Sequence, residues 1–310
     1  MTTPEPALTN ALLKVREAGY VLSEDWPRHG VRAQELGLHE DTGTVRLPPD
    51  VQLHDLHYIQ NALPQQLSVQ LLDYTDSTNS EMMRRRTKSG GADQLILTEY
   101  QSAGRGRRGK VWLGDYGRNI AMTLGIEFPL NPNALGGLSS VVGLALLQAL
   151  ELEGVDAQLK WPNDVWVKEQ KLAGILVELV PTKIGTLAIV GIGINVDLTN
   201  VQASKIDQSV TTLRRLGALI SRDDLVLAVH ASVLKNFEVY SSEGFAPFLD
   251  AFNSAHCLQD RAAILVLGTE SQQGIVRGID ITGGVRFEQN GATRIVTSGE
   301  VSLRPLTTEE

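Results

Sequence analysis

The chain has 310 residues, 42% of them hydrophobic and 21% charged, an ordinary balance for a globular protein of one large domain or two to three smaller ones. Its formal net charge of −8 argues against a general nucleic-acid coat protein, and no apolar run approaches membrane-span length. Cys257 is the only cysteine, so a disulfide framework is excluded. Because Met1–Pro6 lacks a signal-peptide pattern, a cytoplasmic location and no membrane partner are expected.

The first part of the chain has the least regular pattern. Apolar residues recur at helical spacing at Leu8, Ala11, Leu12 and Val15. Gly19 is placed to end that helix, and a second short helix is predicted around Ala33–Leu38. The two prolines in Leu47–Asp50 indicate a boundary or a linker.

A loop rich in glycine and arginine stands out against this acidic background. Its seven residues, Gly104–Lys110, hold three glycines and four cations, and Trp112 follows closely. Buried strands are predicted on both sides, at Leu95–Leu97 and Ile120–Leu124. Glycine lets backbone N–H groups approach a ligand, and arginine presents a planar fork to phosphate or carboxylate. The loop is therefore interpreted as a cradle for a small anion.

Three other interpretations of the loop fit its sequence less well. A dinucleotide-binding G-x-G-x-x-G motif needs a helix straight after it, whereas a strand pattern follows here. A phosphate-binding P-loop needs Ser or Thr after its lysine, where this chain has Val111. A solvated basic turn stays open, although it gives the interleaved glycines no purpose.

A second polar stretch follows the predicted strand Val69–Tyr74. The residues Asp76–Ser80 are placed to cap a helix, and a simple cap would be enough to explain them. The functional interpretation is that Ser77, Thr78 and Asn79 point donors and acceptors at a polar ligand. Both interpretations stay open at this point.

A third stretch, Lys160–Val167, precedes a buried strand predicted at Ala173–Val180. Asp164 could hold a metal or a cation, or could cap the backbone of its own turn. Lys171 is costly just before a buried strand unless its ammonium group reaches solvent or a ligand.

Two further elements are predicted to be buried. Residues Ala134–Leu152 are apolar on most sides, which is typical of a core helix. Residues Leu187–Val196 predict a central strand, and Asn195 lies at its end. Two glycines in that strand, Gly191 and Gly193, indicate close approach of another backbone or of a ligand.

Taken in order, five motifs resemble those of the biotin–protein ligases. They are Ser77-Thr78-Asn79, Glu99-Tyr100-Gln101 with the glycine–arginine loop, Lys160–Asp164, Lys171–Leu176 and Gly191–Asn195. The resemblance runs from about Val69 to Leu306. Lipoate ligases share the fold, but the arginine–glycine loop and the Lys-Trp-Pro-Asn-Asp stretch belong to the biotin branch.

The resemblance implies an α+β fold. A central mixed sheet with helices, as in class II aminoacyl-tRNA synthetases and biotin ligases, would be followed by a small SH3-like β-barrel at the C-terminus. The implied domains are an N-terminal region at 1–66, as a degenerate or shortened winged helix, a catalytic domain for biotin and ATP at 67–258, and the SH3-like domain at 259–310.

The resemblance also implies a two-step reaction. The biotin carboxylate attacks the α-phosphate of ATP, giving biotinyl-5′-AMP and pyrophosphate, with Mg²⁺ bridging phosphates. A lysine amine of a biotin carboxyl carrier protein then attacks the acyl carbon and releases AMP. The substrates supply both nucleophiles, so no Ser–His or Cys–His pair is needed. The protein must neutralise phosphates and keep water away from a mixed anhydride.

Site residues follow from the same resemblance. The implied biotin-binding residues are Ser77, Thr78, Asn79, Gln101, Arg105, Gly106, Arg107 and Lys171. The implied ATP-binding residues are Arg105, Arg107, Arg108, Trp112, Lys160, Asn163 and Asn195. Lys171, Arg107 and Lys160 are the implied catalytic residues, Lys171 at the carboxylate and Lys160 at the α-phosphate. Asp164 is the implied metal ligand.

The chain departs from the family pattern in two places. After Trp112 it has Leu113–Asp115, where the family commonly has an aromatic residue, then Ser and Pro. The expected lid on the adenine side, Asp197–Leu213, is polar and carries Val210 where some members have an aromatic residue. The adenine contacts are therefore left unassigned.

Whether the chain is expected to have a second function depends on its N-terminal region. Some members carry a winged helix–turn–helix there and repress biotin genes, which requires a basic recognition helix. Acidic residues interrupt this region at Glu35, Glu40 and Asp41, and no basic helix stands out. A ligase that also binds operon DNA is the alternative to a ligase alone, and a homodimer is compatible with both.

Overall fold

The computed structural model describes residues 6–27, 31–89, 94–297 and 301–306, with no side-chain description for 86–89 and 201. Residues 1–5, where no signal peptide is expected, lie outside the described residues. Contacts divide the chain into two compact units. The first unit contains Met1–Glu127 and Ala188–Leu227, and the second contains Phe128–Leu187 and Ala228–Glu310. The domain boundaries at 66 and 258 stay a prediction.

Helices and strands occur along the whole described chain. The helices are α1 (Pro6–Ala18), α2 (Leu56–Ala62), α3 (Thr78–Ser89), α4 (Leu138–Glu151), α5 (Asn200–Ala203), α6 (Arg222–Glu243) and α7 (Leu249–Ala255). The strands are β1 (Tyr20–Leu22), β2 (His39–Asp41), β3 (Thr44–Arg46), β4 (Ser68–Leu72), β5 (Gln94–Thr98), β6 (Ile120–Phe128), β7 (Gln158–Lys160), β8 (Asp164–Val167), β9 (Gln170–Pro181), β10 (Thr186–Ile194), β11 (Ala262–Leu267), β12 (Glu270–Ile279), β13 (Val285–Gln289), β14 (Ala292–Val296) and β15 (Val301–Pro305). Among these helices, none is long and apolar enough to cross a membrane.

The first unit begins with a small α/β module. Helix α1 buries the four apolar residues predicted to share one face, and Gly19 follows it with φ +79°. Strands β1, β3 and β2 form an antiparallel sheet in that order. The second predicted helix is a single 3-10 turn at Ala33–Leu36, ended by Gly37 in the left-handed conformation. A core of Leu8, Leu12, Val21, Trp26, Leu36, Val45 and their neighbours unites these pieces.

The mixed sheet of the first unit has the strand order β4-β5-β6-β10. Strand β5 runs parallel to β4 and antiparallel to β6, so the sheet is mixed, as predicted. The predicted buried strand at Leu95–Leu97 lies within β5, and its side chains are fully buried. An apolar run without alternation is typical of a strand covered on both faces.

The second unit contains the antiparallel strands β9-β8-β7 and the predicted core helix. Helix α4 is buried along most of its length, and a Cβ atom at Gly143 would lie 2.9 Å from Leu159 of β7. The C-terminal strands form an antiparallel sheet in the order β14-β13-β12-β11-β15 around a core that includes Leu265, Val276 and Phe287. This arrangement agrees with the small barrel expected there.

A buried carboxylate connects four separate parts of the first unit. Glu99 follows β5 and its side chain has no exposure. Its Oε1 accepts from Arg16 Nη2 and from the backbone N–H of His54, both at 2.8 Å. Its Oε2 accepts from Arg222 Nη2, at the beginning of α6. Arg16 also donates to Asp73 at 2.6 Å, so α1 is fixed to the end of the sheet through two carboxylates.

The charge on Glu99 is maintained by these partners. Burial alone would raise the pKa of Glu99, but Arg222, His54 and Arg16 bring it below its ordinary value of 4.5. A carboxylate whose pKa is lowered by folding stabilises the protein above its unfolded pKa, and that stabilisation is lost as the pH falls through its folded value.

We expect Glu99→Gln to lower the free energy of unfolding at pH 7 by about 3 kcal/mol, because Arg16 and Arg222 lose their shared anion. Urea denaturation checks this, with the exposed Glu153→Gln as the matched control. The difference between Glu99→Gln and the unchanged chain should narrow below about pH 4.5. Equal unfolding midpoints at pH 7 would contradict a requirement for the charge.

Candidate active site

The glycine–arginine loop forms a tight hairpin in the first unit. The N–H of Trp112 donates to Gly104 O at 2.8 Å, and the N–H of Gly106 donates to Lys110 O at 2.7 Å. Between them, Arg105 forms an antiparallel bridge with Val111. A 3-10 turn closes the hairpin at Arg107–Gly109. Gly104 and Gly106 therefore take part in the backbone pairing of the hairpin, and Gly109 lies in its turn.

The backbone at the hairpin end is in an unusual conformation. Arg108 has φ +57° and Gly109 has φ +71°, so two successive residues lie in the left-handed region. Arg108 and Arg105 are exposed, while Arg107 is half-buried. The hairpin thus places Arg105 and Arg108 at the surface. The anion-cradle interpretation stays a prediction.

The predicted biotin-binding residues of α3 meet Gln101 beside the hairpin. Ser77, Thr78 and Asn79 are each at least 96% buried, which is unusual for three consecutive polar residues at a helix start. Gln101 Oε1 accepts from the backbone N–H of Thr78 at 2.8 Å and from its hydroxyl at 3.2 Å. A Cβ atom at Gly104 would lie 3.0 Å from Gln101 Nε2. The structure therefore brings together Thr78, Gln101 and the base of the hairpin.

The two glycines of β10 make room for side chains of this cluster. A Cβ atom at Gly191 would lie 2.2 Å from Asn79 Oδ1, and one at Gly193 would lie 2.4 Å from the Trp112 ring. The close approach predicted from the sequence is thus made by two predicted site residues, not by a backbone. Sequence reasoning missed Thr123, whose buried hydroxyl donates to Asn79 Oδ1 at 2.7 Å. Its only signal was a polar residue inside an otherwise apolar strand.

The expected adenine-side lid begins and ends beside Asn195. This residue is buried at the end of β10, and its carbonyl accepts from the N–H of Leu213 at 3.0 Å. The N–H of Arg214 donates to Val196 O at the same distance. Asp197–Leu213, termed the adenine-side segment below, is therefore a loop whose two ends are hydrogen-bonded to each other. Val210 is buried within it.

The remaining predicted site residues lie in the second unit, on β7, β8 and β9 and in the turn between β7 and β8. Lys171 Nζ is 2.7 Å from Asp164 Oδ1, and both side chains are mostly buried. Asn163 Nδ2 donates to Ile175 O at 2.7 Å, and the N–H of Ile175 donates back to Asn163 O at 2.9 Å. The turn after β7 is thus fixed to β9 by Asn163. Lys171 has the carboxylate partner that its burial requires.

Lys160 has an aromatic and a histidine neighbour. Its ammonium group lies 4.3 Å from the centre of the Trp166 ring, a cation–π geometry. Burial and the charge of Lys160 lower the pKa of His256 to about 4, so His256 is neutral at physiological pH. The described residues contain no group of three or more His, Cys, Asp or Glu side chains that could hold a metal ion.

Comparison with known proteins places these features in one family. The biotin/lipoate A/B protein ligase family model matches residues 71–195. The bifunctional ligase/repressor BirA of Escherichia coli is 36% identical over 83% of this chain and 80% of its own length. The biotin–[acetyl-CoA-carboxylase] ligase of Mycobacterium tuberculosis is 30% identical over 73% of this chain and 85% of its own.

A solved structure supports the same relationship. The biotin protein ligase of Aquifex aeolicus in complex with biotin and ATP has a TM-score of 0.65 and 28% identity, over 77% of this chain and 99% of that protein. The similarity therefore extends well beyond the residues matched by the family model. The chain belongs to the biotin/lipoate A/B protein ligase family, as a member of its biotin–protein ligase branch.

Proposed function

We propose that the chain activates biotin with ATP to biotinyl-5′-AMP, releases pyrophosphate, and transfers biotin to a lysine of a biotin carboxyl carrier domain. The observation that carries this proposal is the polar cluster of buried Thr78 and Asn79 with half-buried Gln101, located beside Trp112 and the cationic hairpin. A buried polar cluster next to exposed guanidinium groups suits a ligand with a polar ring at one end and a phosphate at the other.

The hydrogen bonds of the polar cluster support binding of a ureido group. Because Gln101 Oε1 accepts two hydrogen bonds from Thr78, the opposite end of its amide is the end that would donate to a ureido oxygen. Ser77 would supply a further hydroxyl at the same helix start. Asn79, which accepts a hydrogen bond from Thr123, would support the side chains that contact the ligand. Biotin binding would therefore use groups whose positions are set before the ligand arrives.

The cations would act on the phosphates. Arg105, Arg107 and Arg108 would neutralise negative charge from the hairpin, and Lys160 would stabilise the α-phosphate. Lys171 would hold the biotin carboxylate while one of its oxygens attacks the α-phosphorus and the bond to the β-phosphate breaks. In the second step the acceptor amine attacks the acyl carbon, the bond to the phosphate oxygen breaks, AMP leaves, and the nitrogen loses its extra proton.

Mg²⁺ would neutralise phosphate charge when it is bound. Asp164 fits this role, because it offers a carboxylate oxygen of the kind that Mg²⁺ prefers, and ATP phosphates commonly supply further ligands. Its ion pair with Lys171 would hold the carboxylate in place. Asn163, fixed to β9, would keep Asp164 in position.

The N-terminal module does not favour a second function as a repressor. Between α1 and β2, the described residues 19–27 and 31–38 form a short strand and two 3-10 turns, with no α-helix long enough to enter a major groove. We therefore propose a ligase that acts in the cytoplasm without reading DNA. A sequence-specific gel shift with biotin-operon DNA in the presence of biotinyl-5′-AMP would overturn this part of the proposal.

Pyrophosphate release upon addition of biotin, ATP and Mg²⁺ tests the proposed function directly. We expect Lys171→Ala to lower the rate of release by about 10²–10³, because developing charge loses a stabilising cation. The exposed Lys183→Ala in the turn after β9 is the matched control and should keep the rate. A near-native rate for Lys171→Ala would remove Lys171 from the chemistry.

We expect Gln101→Ala to weaken biotin binding by at least about tenfold, since a site built to hydrogen-bond the ureido group would lose its oriented amide. Isothermal titration calorimetry with biotin alone measures this, and the exposed Gln65→Ala serves as control. An unchanged Kd would mean that Gln101 only caps α3.

A further inference from the structure

Asp115 lies where the chain departs from the family pattern, and it has an unusual environment. It is only 2% exposed. Both of its carboxylate oxygens accept from one residue, Thr199, whose N–H is 2.9 Å from Oδ2 and whose hydroxyl is 3.1 Å from Oδ1. Burial raises the pKa of Asp115, and the two hydrogen bonds from Thr199 oppose that rise. A carboxylate kept buried at this cost is a candidate for a specific role.

Thr199 is the residue at which the adenine-side segment turns into helix α5. It is the N-cap of that helix, and its Oγ1 accepts from the N–H of Gln202 at 3.3 Å. The same hydroxyl donates to Asp115, so one side chain both starts the helix and attaches it to Asp115. The first turn of the adenine-side segment is thereby fixed in position and in direction.

Neighbours of Asp115 strengthen the attachment. The N–H of Asp197 donates to Arg118 O at 3.0 Å, and its carboxylate pairs with the Arg118 guanidinium. The N–H of Val196 donates to Asn119 Oδ1, also at 3.0 Å. The stretch Asp115–Asn119 therefore binds the beginning of the adenine-side segment at several points. This stretch begins three residues after Trp112, whose ring lies against β10.

The N-terminal module, which runs from α1 to β3, also contacts Asp115–Asn119 and α5. The N–H of Tyr116 donates to Leu36 O at 2.9 Å, and Gln202 Nε2 donates to Glu35 O at 3.1 Å. A Cβ atom at Gly37 would lie 3.0 Å from Asp115 Oδ1, and Gly37 has φ +76°, so a side chain is excluded there on two grounds. The 3-10 turn Ala33–Leu36, with Gly37 after it, therefore covers Asp115 and shields it from water.

We infer that Asp115 is a positioning residue for the nucleotide, because it fixes the first turn of the adenine-side segment relative to Trp112. The 3-10 turn Ala33–Leu36 covers the contact between Asp115 and Thr199. The inference rests on the proposed function, because it takes the segment as the adenine side of the ATP site. Biotin binding, centred on Thr78 and Gln101, is independent of this attachment.

Asp115→Asn tests the inference. Asparagine keeps the size of the side chain but removes its charge and replaces one acceptor oxygen with an NH₂ group. The remaining oxygen can still accept from the Thr199 N–H, but the hydroxyl of Thr199 loses its charged acceptor and can only accept from the NH₂ group. The KM for ATP should rise about tenfold, equivalent to about 1.4 kcal/mol, and biotinyl-5′-AMP should leave about tenfold faster. The biotin Kd by calorimetry should stay within about twofold. Thr199→Ser retains both bonds and should behave as the unchanged chain.

Controls separate a local effect from general destabilisation. The exposed Asp156→Asn makes the same chemical change elsewhere and should leave the KM for ATP as it is. If Asp115→Asn does not fold, Thr199→Val, which removes only the hydroxyl bond and the cap, should raise the same KM about threefold.

Two outcomes would overturn the inference. One is an unchanged KM for ATP in Asp115→Asn, or in Thr199→Val where that variant takes its place. The other is a biotin Kd that weakens as much as the KM rises. Absence of pyrophosphate release from the unchanged chain would instead reject the proposed function, so the two failures are distinguishable.

Discussion

The buried charge of Glu99 is the constraint from which the architecture of the first unit follows. An unpaired carboxylate in such a position would cost several kcal/mol, so its partners must be present whenever the unit is folded. Those partners come from α1, from the segment before α2 and from the beginning of α6. Glu99 is therefore fixed in position, and the chain continues from it to Gln101, two residues later, and then to the hairpin.

This constraint changes the meaning of the N-terminal module. A winged helix that only reads DNA would need no charged contact with the sheet of β4, β5, β6 and β10. Here Arg16 of α1 reaches Glu99 and Asp73, and the core of the module includes Tyr116, which follows Asp115. The module is thus built into the same folding unit as the cluster of Thr78, Asn79 and Gln101, and its loss would expose apolar surface on the rest of that unit.

Much of the fold could be predicted from the sequence, because local patterns carry it. Residues near one another in the chain determine the alternation of Ile120, Met122 and Leu124, the apolar surface of α4 and the content of each of the five motifs. The partners of Glu99 could not be predicted, since they lie 45, 83 and 123 positions away from it. The sequence predicts separate roles for Lys171 and Asp164, because spacing alone does not reveal that a hairpin brings them into an ion pair.

Gly191 and Gly193 illustrate how far a sequence pattern can be interpreted. A glycine in a strand says that something approaches closely, but not what approaches. In the structure the neighbours are side chains: Asn79 fills the space beside Gly191, and Trp112 fills the space beside Gly193. Each glycine and the side chain against it form a matched pair. Such pairs restrict evolution and engineering alike: a larger residue at position 193 is compatible only with a smaller one at position 112. Shortening Trp112 while Gly193 is kept would instead leave a cavity beside β10, because nothing would fill the space that the glycine provides.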